Sequence, residues 1–408
     1  MVRALQSTLR DADLVAVRLP PGPRWIALLR AAWDAGAAVF PVDGRLAPAE
    51  ARRLVSRARP TLVVDADGVR RRPRGVPAAA GTGLVVATSG TTGLPRLAEL
   101  GRDSIEAVIR ASAAAIGAGS ADEWLCCLPV AHIGGALVLH RALVLGAPVR
   151  VRRSFSVAAF RTARACRFTS LVPTQLHRLL DAGCDLSGFA AILVGGAALP
   201  PELALRAAAG GAQLVPTYGL TESCGGVVYA GRPLTGVDVH VLGDGVNAAA
   251  GEGELLIRGT ALMRGYRFDE AASAAAFLPG GWLLTGDHGA IATDGTVRVD
   301  GRKADVINTG GEKVWPAEVE AALASHRGVT AVAVSGAPDA EWGERVVAHV
   351  VPRRRGAPPT LESLRAHVSQ RIAGYKAPRQ LVLVDTLPRT ALGKLRRAQP
   401  APPAQSSV

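Results

Sequence analysis

Lysine is almost missing from this chain. Of its 47 basic residues only Lys303, Lys313, Lys376 and Lys394 are lysines, and the rest are arginines. That skew, beside abundant alanine, points to GC-rich coding rather than selection for a polyanionic partner. The net charge of +13 is therefore discounted as a sign of nucleic-acid binding. The arginines are spread along the chain, and RNA-binding aromatic motifs and zinc-finger spacings are absent. A basic surface still favours small anions such as nucleotides. Aromatic residues are scarce at 4%, so alanine-rich cores are expected. The five cysteines (Cys126, Cys127, Cys166, Cys184, Cys224) form no CxxC pair, which argues against a zinc site or a disulfide framework. Buried, reduced thiols of a cytoplasmic protein are the plain expectation. The first residues, MVRALQSTLRDADL, lack the apolar core of a signal peptide. The longest apolar stretch, Ile133 to Val149, is interrupted by His140 and Arg141, so no membrane span is expected.

What is present is globular. Hydrophobic residues make up 49% and charged residues 20% of 408 residues. That length exceeds one ordinary core, so two domains are expected. LVAVRL (14–19), AVFPV (38–42) and TLVVD (61–65) read as buried strands, with a helical pattern in WIALLRAAWDAGA between the first two. This is the grammar of an α/β layered fold. The RRRPRGVP stretch (70–77) reads as an exposed connector. Further short strands follow at 84–88, 192–200, 213–219, 238–243 and 254–259. After Asp300 the pattern changes to a small α+β unit. The expected boundary lies at Gly301 to Asp305, giving a large domain over 1–300 and a small mobile one over 301–408. The PAPPAQSSV tail is expected to be disordered.

Five stretches carry chemistry. Thr88-Ser89-Gly90-Thr91-Thr92-Gly93-Leu94-Pro95-Arg96 offers glycines that let backbone approach an anion, and hydroxyls and N–H groups to cradle phosphate. It lacks the glycine spacing and Lys-Ser/Thr end of a P-loop. A mobile surface loop is the alternative. Tyr218-Gly219-Leu220-Thr221-Glu222 offers a ring to stack on a purine and a carboxylate suited to Mg2+. A plain helix start is the alternative. In Trp282-Leu283-Leu284-Thr285-Gly286-Asp287 an aspartate follows a strand-end glycine, where acidic residues receive ribose hydroxyls. A simple Asx turn would look the same. Gly301-Arg302-Lys303-Ala304-Asp305 with Asn308-Thr309-Gly310-Gly311-Glu312-Lys313 is the fourth, and Leu387 to Lys394 (LPRTALGK) the fifth. In a chain that uses arginine nearly everywhere, a retained lysine marks a place where a compact ammonium matters.

Taken in this order, the five stretches resemble the adenylate-forming superfamily of acyl-CoA synthetases, nonribosomal-peptide adenylation domains and luciferases. The likeness runs from about residue 14 to 397. It implies that Thr88, Ser89, Gly90, Thr91, Thr92, Gly93 and Arg96 hold the β- and γ-phosphates of ATP. Thr221 and Glu222 would meet the α-phosphate and Mg2+, with Glu222 the metal ligand. Tyr218 would stack on adenine beside Gly195, Gly196 and Ala197. Asp287 and Arg302 would bind ribose. Lys394 would be the adenylation lysine, and its replacement by alanine should cost about 10²–10³ in rate. The small domain would then rotate near Lys303–Asp305. Gly310, Gly311, Glu312 and Lys313 would line a tunnel for coenzyme A.

Within the superfamily three strings look like the o-succinylbenzoate–CoA ligase branch of menaquinone biosynthesis: LPVAHIGG (128–135), VPTQLHRLL (172–180) and VDGRL (42–46). His132, Gly134, Thr174, Gln175 and Gly219 would border the acid. Core packing is the alternative for these stretches, His177 included. A substrate with two carboxylates needs a cation or helix N-terminus for the one that does not react. Arg96 stands where the family usually has lysine, Leu97 where it has glycine, and Ala304 where a polar hinge residue is frequent. The leading expectation is a carboxylic acid–CoA ligase using ATP, Mg2+ and coenzyme A, with no nucleic-acid partner and with a homodimer left open. An aryl- or fatty-acid ligase, or an adenylation enzyme loading a separate carrier protein, is the second reading. A nucleotide-binding pseudoenzyme is the third.

Overall fold

The computed structural model describes residues 1–88, 95–163 and 165–388. Its architecture follows from strands whose two faces are both buried. Along Leu14–Val17, Leu14 and Ala16 enter one hydrophobic cluster while Val15 and Val17 enter another. Residues alternate between faces in a strand, so an unbroken apolar run means helices on both sides. Among the described residues, a first seven-stranded sheet runs in the order Gly265–Tyr266, Leu97–Gly101, Thr82–Ala87, Ala38–Pro41, Leu14–Val17, Leu62–Asp65, Gly68–Arg71. A second runs Arg232–Pro233, Gly225–Tyr229, Leu214–Leu220, Ala191–Val194, Phe168–Leu171, Trp124–Cys126, Val149–Val151.

Helices Arg24–Asp34, Arg102–Ile116 and Ile133–Val144 fill the space between the two sheets and bury Trp25, Leu28, Ile105, Ile109 and Leu139 there. Trp25, Leu28, Leu29 and Ala32 recur at the helical period. Pro48–Ala58 covers the outer face of the first sheet through Leu54, Val55 and Ala58. Pro173–Asp181 and Pro201–Ala209 cover that of the second through Leu176, Leu179, Leu203 and Ala207. The result is helix, sheet, helix, sheet, helix in layers.

An antiparallel sheet follows, built on Val237–Gly243, Gly251–Gly259 and Trp282–Ile291, with Val297–Arg302 paired to the last. A 3-10 turn, Lys303–Asp305, leads out of it. The remainder packs helices Pro316–Ala324 and Leu361–Ser369 on a sheet containing Ile307–Thr309, Glu312–Val314, Val329–Asp339, Gly343–Pro352 and Gln380–Leu383. Its buried cluster, which includes Ile307, Leu323, Val334, Val346 and Leu364, takes every member from residue 307 onward. The α/β class with a small C-terminal α+β unit thus stands as expected. None of the helices described is long and apolar enough to cross a membrane.

Three local readings change. Arg70 and Arg71 are not connector: they end the edge strand Gly68–Arg71, and Arg71 reaches Asp13 at 2.8 Å. Asp287 does not follow a strand end. The Trp282–Ile291 strand continues through it, because Gly286 adopts φ +68° and the ladder shifts register between His288 and Gly289. Thr221 and Glu222 start no helix. They sit in a tight turn between two antiparallel strands.

Candidate active site

Parallel strands end on one edge of each seven-stranded sheet, and ligands of open α/β sheets bind outside the carboxyl ends of such strands. In the second sheet, Trp124–Cys126, Phe168–Leu171, Ala191–Val194 and Leu214–Leu220 are mutually parallel. Four of the expected site segments leave those four ends. Leu128–Gly135 follows the first strand, Thr174 and Gln175 the second, Gly195–Ala197 the third, and Tyr218–Gly219 close the fourth.

Glycine is needed where backbones approach. A side chain on Gly219 would collide with the Gly225 carbonyl, and one on Gly195 with the Thr217 hydroxyl. Gly196 adopts φ +80°. The turn that raises Thr221 and Glu222 is held from within by the buried Ser223. Its hydroxyl accepts from Leu220 N at 2.8 Å and donates to the Gly225 carbonyl at 3.0 Å.

Tyr218, Asp287 and Arg302 come together from two sheets. The Tyr218 hydroxyl donates to Asp287 Oδ2 at 2.9 Å, and Arg302 Nε lies 3.0 Å from Asp287 Oδ1. Asp287 and Arg302 are register partners. Arg302 Nη1 also donates to the Thr285 carbonyl at 2.8 Å, and Asp287 N to the Thr285 hydroxyl at 3.0 Å. Burial and the neighbouring carboxylate push the Tyr218 phenol well above its ordinary range, so it keeps its proton and donates.

Glu222 is half-buried and its Oε1 accepts from the Tyr266 hydroxyl at 2.9 Å. The Arg96 guanidinium lies over the Tyr266 ring, 5.2 Å from its centre. Thr88 N donates to the Arg96 carbonyl at 2.8 Å and so closes the base of the 88–96 loop. Ser89, Gly90, Thr91, Thr92 and Gly93 fall outside the described residues, as do Lys394 and the PAPPAQSSV tail. Glu222 with the Thr221 hydroxyl is an oxygen-only donor set on a turn, which suits Mg2+ shared with phosphate oxygens.

A third group joins the sheet edges. Asp43 and Arg45 follow the Ala38–Pro41 strand of the first sheet, and His132 caps the start of Ile133–Val144. Arg45 holds Asp43 with Nε at 2.9 Å and Nη2 at 2.6 Å. His132 Nε2 lies 3.2 Å from Asp43 Oδ2 and 3.0 Å from Arg45 Nη2. Burial would raise the Asp43 carboxyl, but hydrogen bonds from His132 and Arg45 outweigh it and hold the group well below the usual carboxylate range. Gly134 lies in the first helical turn behind His132, against Leu128.

Other expected residues lie in settings of their own. The Gln175 side chain accepts from Val172 N at 3.2 Å and so caps its own helix, beside an exposed Thr174. His177 is not in the core: it is half exposed and lies 3.3 Å from Asp181 one helical turn on. Gly310 and Gly311 turn the hairpin that carries Glu312 and Lys313, with Gly310 against the Trp342 ring. Sequence reasoning missed Tyr266 and Asp269. The string Arg264-Gly265-Tyr266-Arg267-Phe268-Asp269, polar residues around a lone tyrosine after a strand, was the available signal.

The family described as AMP-binding enzyme matches residues 3–87 and 82–267, and the AMP-binding enzyme C-terminal domain matches 318–394. A probable 2-succinylbenzoate–CoA ligase of Mycobacterium tuberculosis is 41% identical over 328 residues, covering 77% of this chain and 82% of that protein. The 2-succinylbenzoate–CoA ligase of Bacillus subtilis is 34% identical, covering 78% and 68%. Among solved structures, the Bacillus subtilis o-succinylbenzoate CoA synthetase with its acyl-adenylate intermediate superposes with a TM-score of 0.86 at 27% identity, over 98% of this chain and 90% of that one. The same synthetase with ATP and a magnesium ion gives 0.86 over 97% and 91%.

Proposed function

The chain belongs to the AMP-binding enzyme family, and on that premise we propose that it is an ATP-dependent 2-succinylbenzoate–CoA ligase acting through an acyl-adenylate. The observation that carries the nucleotide half is the convergence of Tyr218, Asp287 and Arg302 beside Glu222 at the carboxyl ends of the parallel strands. In this reading the Tyr218 ring faces adenine beside Gly195–Ala197. Asp287 accepts from the ribose hydroxyls while Arg302 holds its other oxygen. Thr88 and Arg96 close the phosphate loop. The acid carboxylate attacks the α-phosphorus and pyrophosphate leaves, and the thiol of coenzyme A then displaces AMP. Adenylation of this kind needs chiefly positioning and neutralisation of developing charge.

Glu222 and Thr221 would hold Mg2+, which when bound neutralises phosphate charge. Lys394 would serve the adenylation step and Gly310–Lys313 the passage for coenzyme A, with the domain boundary at Gly301–Asp305. His132, Gly134, Thr174, Gln175 and Gly219 would border the acid. For its second carboxylate, the start of Ile133–Val144 supplies a helix N-terminus beside His132, while the Arg45 guanidinium is already paired with Asp43. A cytoplasmic location fits these substrates. Size-exclusion chromatography distinguishes monomer from homodimer.

The test is pyrophosphate release that requires ATP, Mg2+ and acid, compared over 2-succinylbenzoate, benzoates and fatty acids, with thioester formation followed by mass. Strong preference for 2-succinylbenzoate and a CoA thioester is expected. Turnover of another acid, or an adenylate without thioester, would move the protein to the aryl- or fatty-acid or carrier-loading reading. ATP binding without pyrophosphate release from any acid would make it a pseudoenzyme.

A further inference from the structure

We propose that Tyr266 is a positioning residue that fixes the Glu222 carboxylate for the magnesium of MgATP and couples it, through Arg96, to the phosphate loop. The proposal rests on Glu222 as the metal-binding carboxylate. Two contacts meet on the Tyr266 side chain, and a third steadies the guanidinium above it. The Tyr266 hydroxyl donates to Glu222 Oε1 at 2.9 Å, the Arg96 guanidinium stands over the ring at 5.2 Å, and Arg96 Nε lies 3.8 Å from Asp269 Oδ2 three residues on. A carboxylate on a tight turn is otherwise free to rotate. One fixed donor selects the rotamer in which it meets the metal, as outer partners of metal ligands do.

The tyrosine is itself held firmly. Its residue pairs with Ala98, the first sheet position after the phosphate loop and Leu97, and its backbone N donates to the Ser273 hydroxyl at 2.7 Å. Met263 N donates to the Glu222 carbonyl and Arg264 N to the Glu99 carbonyl, both at 2.8 Å. The next residue, Arg267, is buried and donates to Glu99 Oε1 at 2.7 Å and to the carbonyls of Ala58, Pro77 and Val76. Segment 263–267 therefore bridges the Glu222 turn and the strand that leaves the phosphate loop. The arrangement also gives a reason for arginine at position 96: a planar guanidinium stacks on an aromatic face in a way that suits it better than a point-charge ammonium.

The test uses the full chain with Tyr266→Phe, which keeps the ring and removes the donor. ATP binding is titrated calorimetrically in EDTA and across a Mg2+ series, with Glu222→Gln and Arg96→Lys alongside. Expected for Tyr266→Phe is unchanged affinity for ATP in EDTA, an unchanged thermal midpoint, and about a tenfold rise in the Mg2+ concentration that gives half-maximal enhancement of ATP binding, the scale on which outer-sphere partners act. Arg96→Lys should shift the same Mg2+ midpoint in the same direction. Equal Mg2+ midpoints for wild type and Tyr266→Phe, with Glu222→Gln clearly shifted, would overturn the role of Tyr266 alone. No shift in Glu222→Gln would overturn the Glu222 assignment and the proposal with it. An equal loss of ATP affinity with and without Mg2+ in Tyr266→Phe would reduce the residue to packing and overturn the proposal too.

Discussion

Asp287→Asn is the most informative single substitution. The side chain is nearly isosteric, so the fold should tolerate it. Its carboxylate is only 8% exposed and bonds both the Tyr218 hydroxyl and Arg302 Nε. An amide keeps one accepting oxygen but turns the other position into a donor, facing either a hydroxyl that donates or a guanidinium. In the proposed reading that position also accepts from a ribose hydroxyl, so one hydrogen bond to a charged group, worth about 1.5–3 kcal/mol, is lost to the ribose. At about 1.4 kcal/mol per factor of ten, KM for ATP should rise roughly 10- to 140-fold while KM for the acid stays near the wild-type value. Arg302 has a 44% exposed side chain and recovers water, so the loss in folding stability should stay under about 1 kcal/mol. The assay is pyrophosphate release against ATP and against 2′-deoxy-ATP. Wild type should discriminate against the deoxynucleotide, and the variant should lose most of that discrimination. An unchanged KM for ATP, or discrimination equal to wild type, would refute the reasoning that Asp287 grips the ribose.

Three further outcomes follow from burial. Arg267→Met removes one partner of the Arg267–Glu99 pair, whose side chains are only 4% and 11% exposed. Breaking such a pair should cost about 3–5 kcal/mol, read as a lower midpoint in urea. His140 is fully buried, donates from Nδ1 to the Ala136 carbonyl at 2.8 Å, and burial lowers its pKa to about 4. Its folded value lies below that of the unfolded chain, so its contribution is complete above about pH 6.5 and is lost as pH falls toward 4. His140→Leu should flatten that part of a stability–pH curve. Burial pushes the thiols of Cys127 up to about 12 and Cys166 up to about 11. Iodoacetamide at neutral pH should leave both unmodified in the folded protein and alkylate them in guanidinium, which peptide mass mapping reads directly.

The layered fold was legible because its strands are apolar on both faces: LVAV, AVFP and LVVD could satisfy helices on either side and little else. The resemblance likewise pointed to the segments that leave the strand ends. Three-dimensional pairing was hidden. Nothing in Asp287 alone announces Tyr218, 69 residues away. The strand through Gly286 looked like a terminus because a glycine can mark a bulge inside a strand as well as its end. Arg70 and Arg71 looked like linker because an edge strand can carry charge on its open side. Tyr266 was missed for a related reason. Its importance comes from what it touches, Glu222 and Arg96, and neither lies near it in sequence.

The pairing of Gly265–Tyr266 with Leu97–Gly101 also sets a schedule for the nascent chain. Six strands of the first sheet are complete once Gly101 has been made, yet the partner for its last strand, whose five residues are all buried, arrives only with residue 266. At ~5–20 residues per second the Leu97–Gly101 edge stays open for on the order of ten seconds. During that interval it is an unpaired, largely apolar strand edge of the kind that recruits other chains. Aggregation during synthesis should therefore depend on how fast the stretch up to Arg267 is translated, and slowing the codons between 101 and 266 would lengthen the exposure without altering the finished molecule.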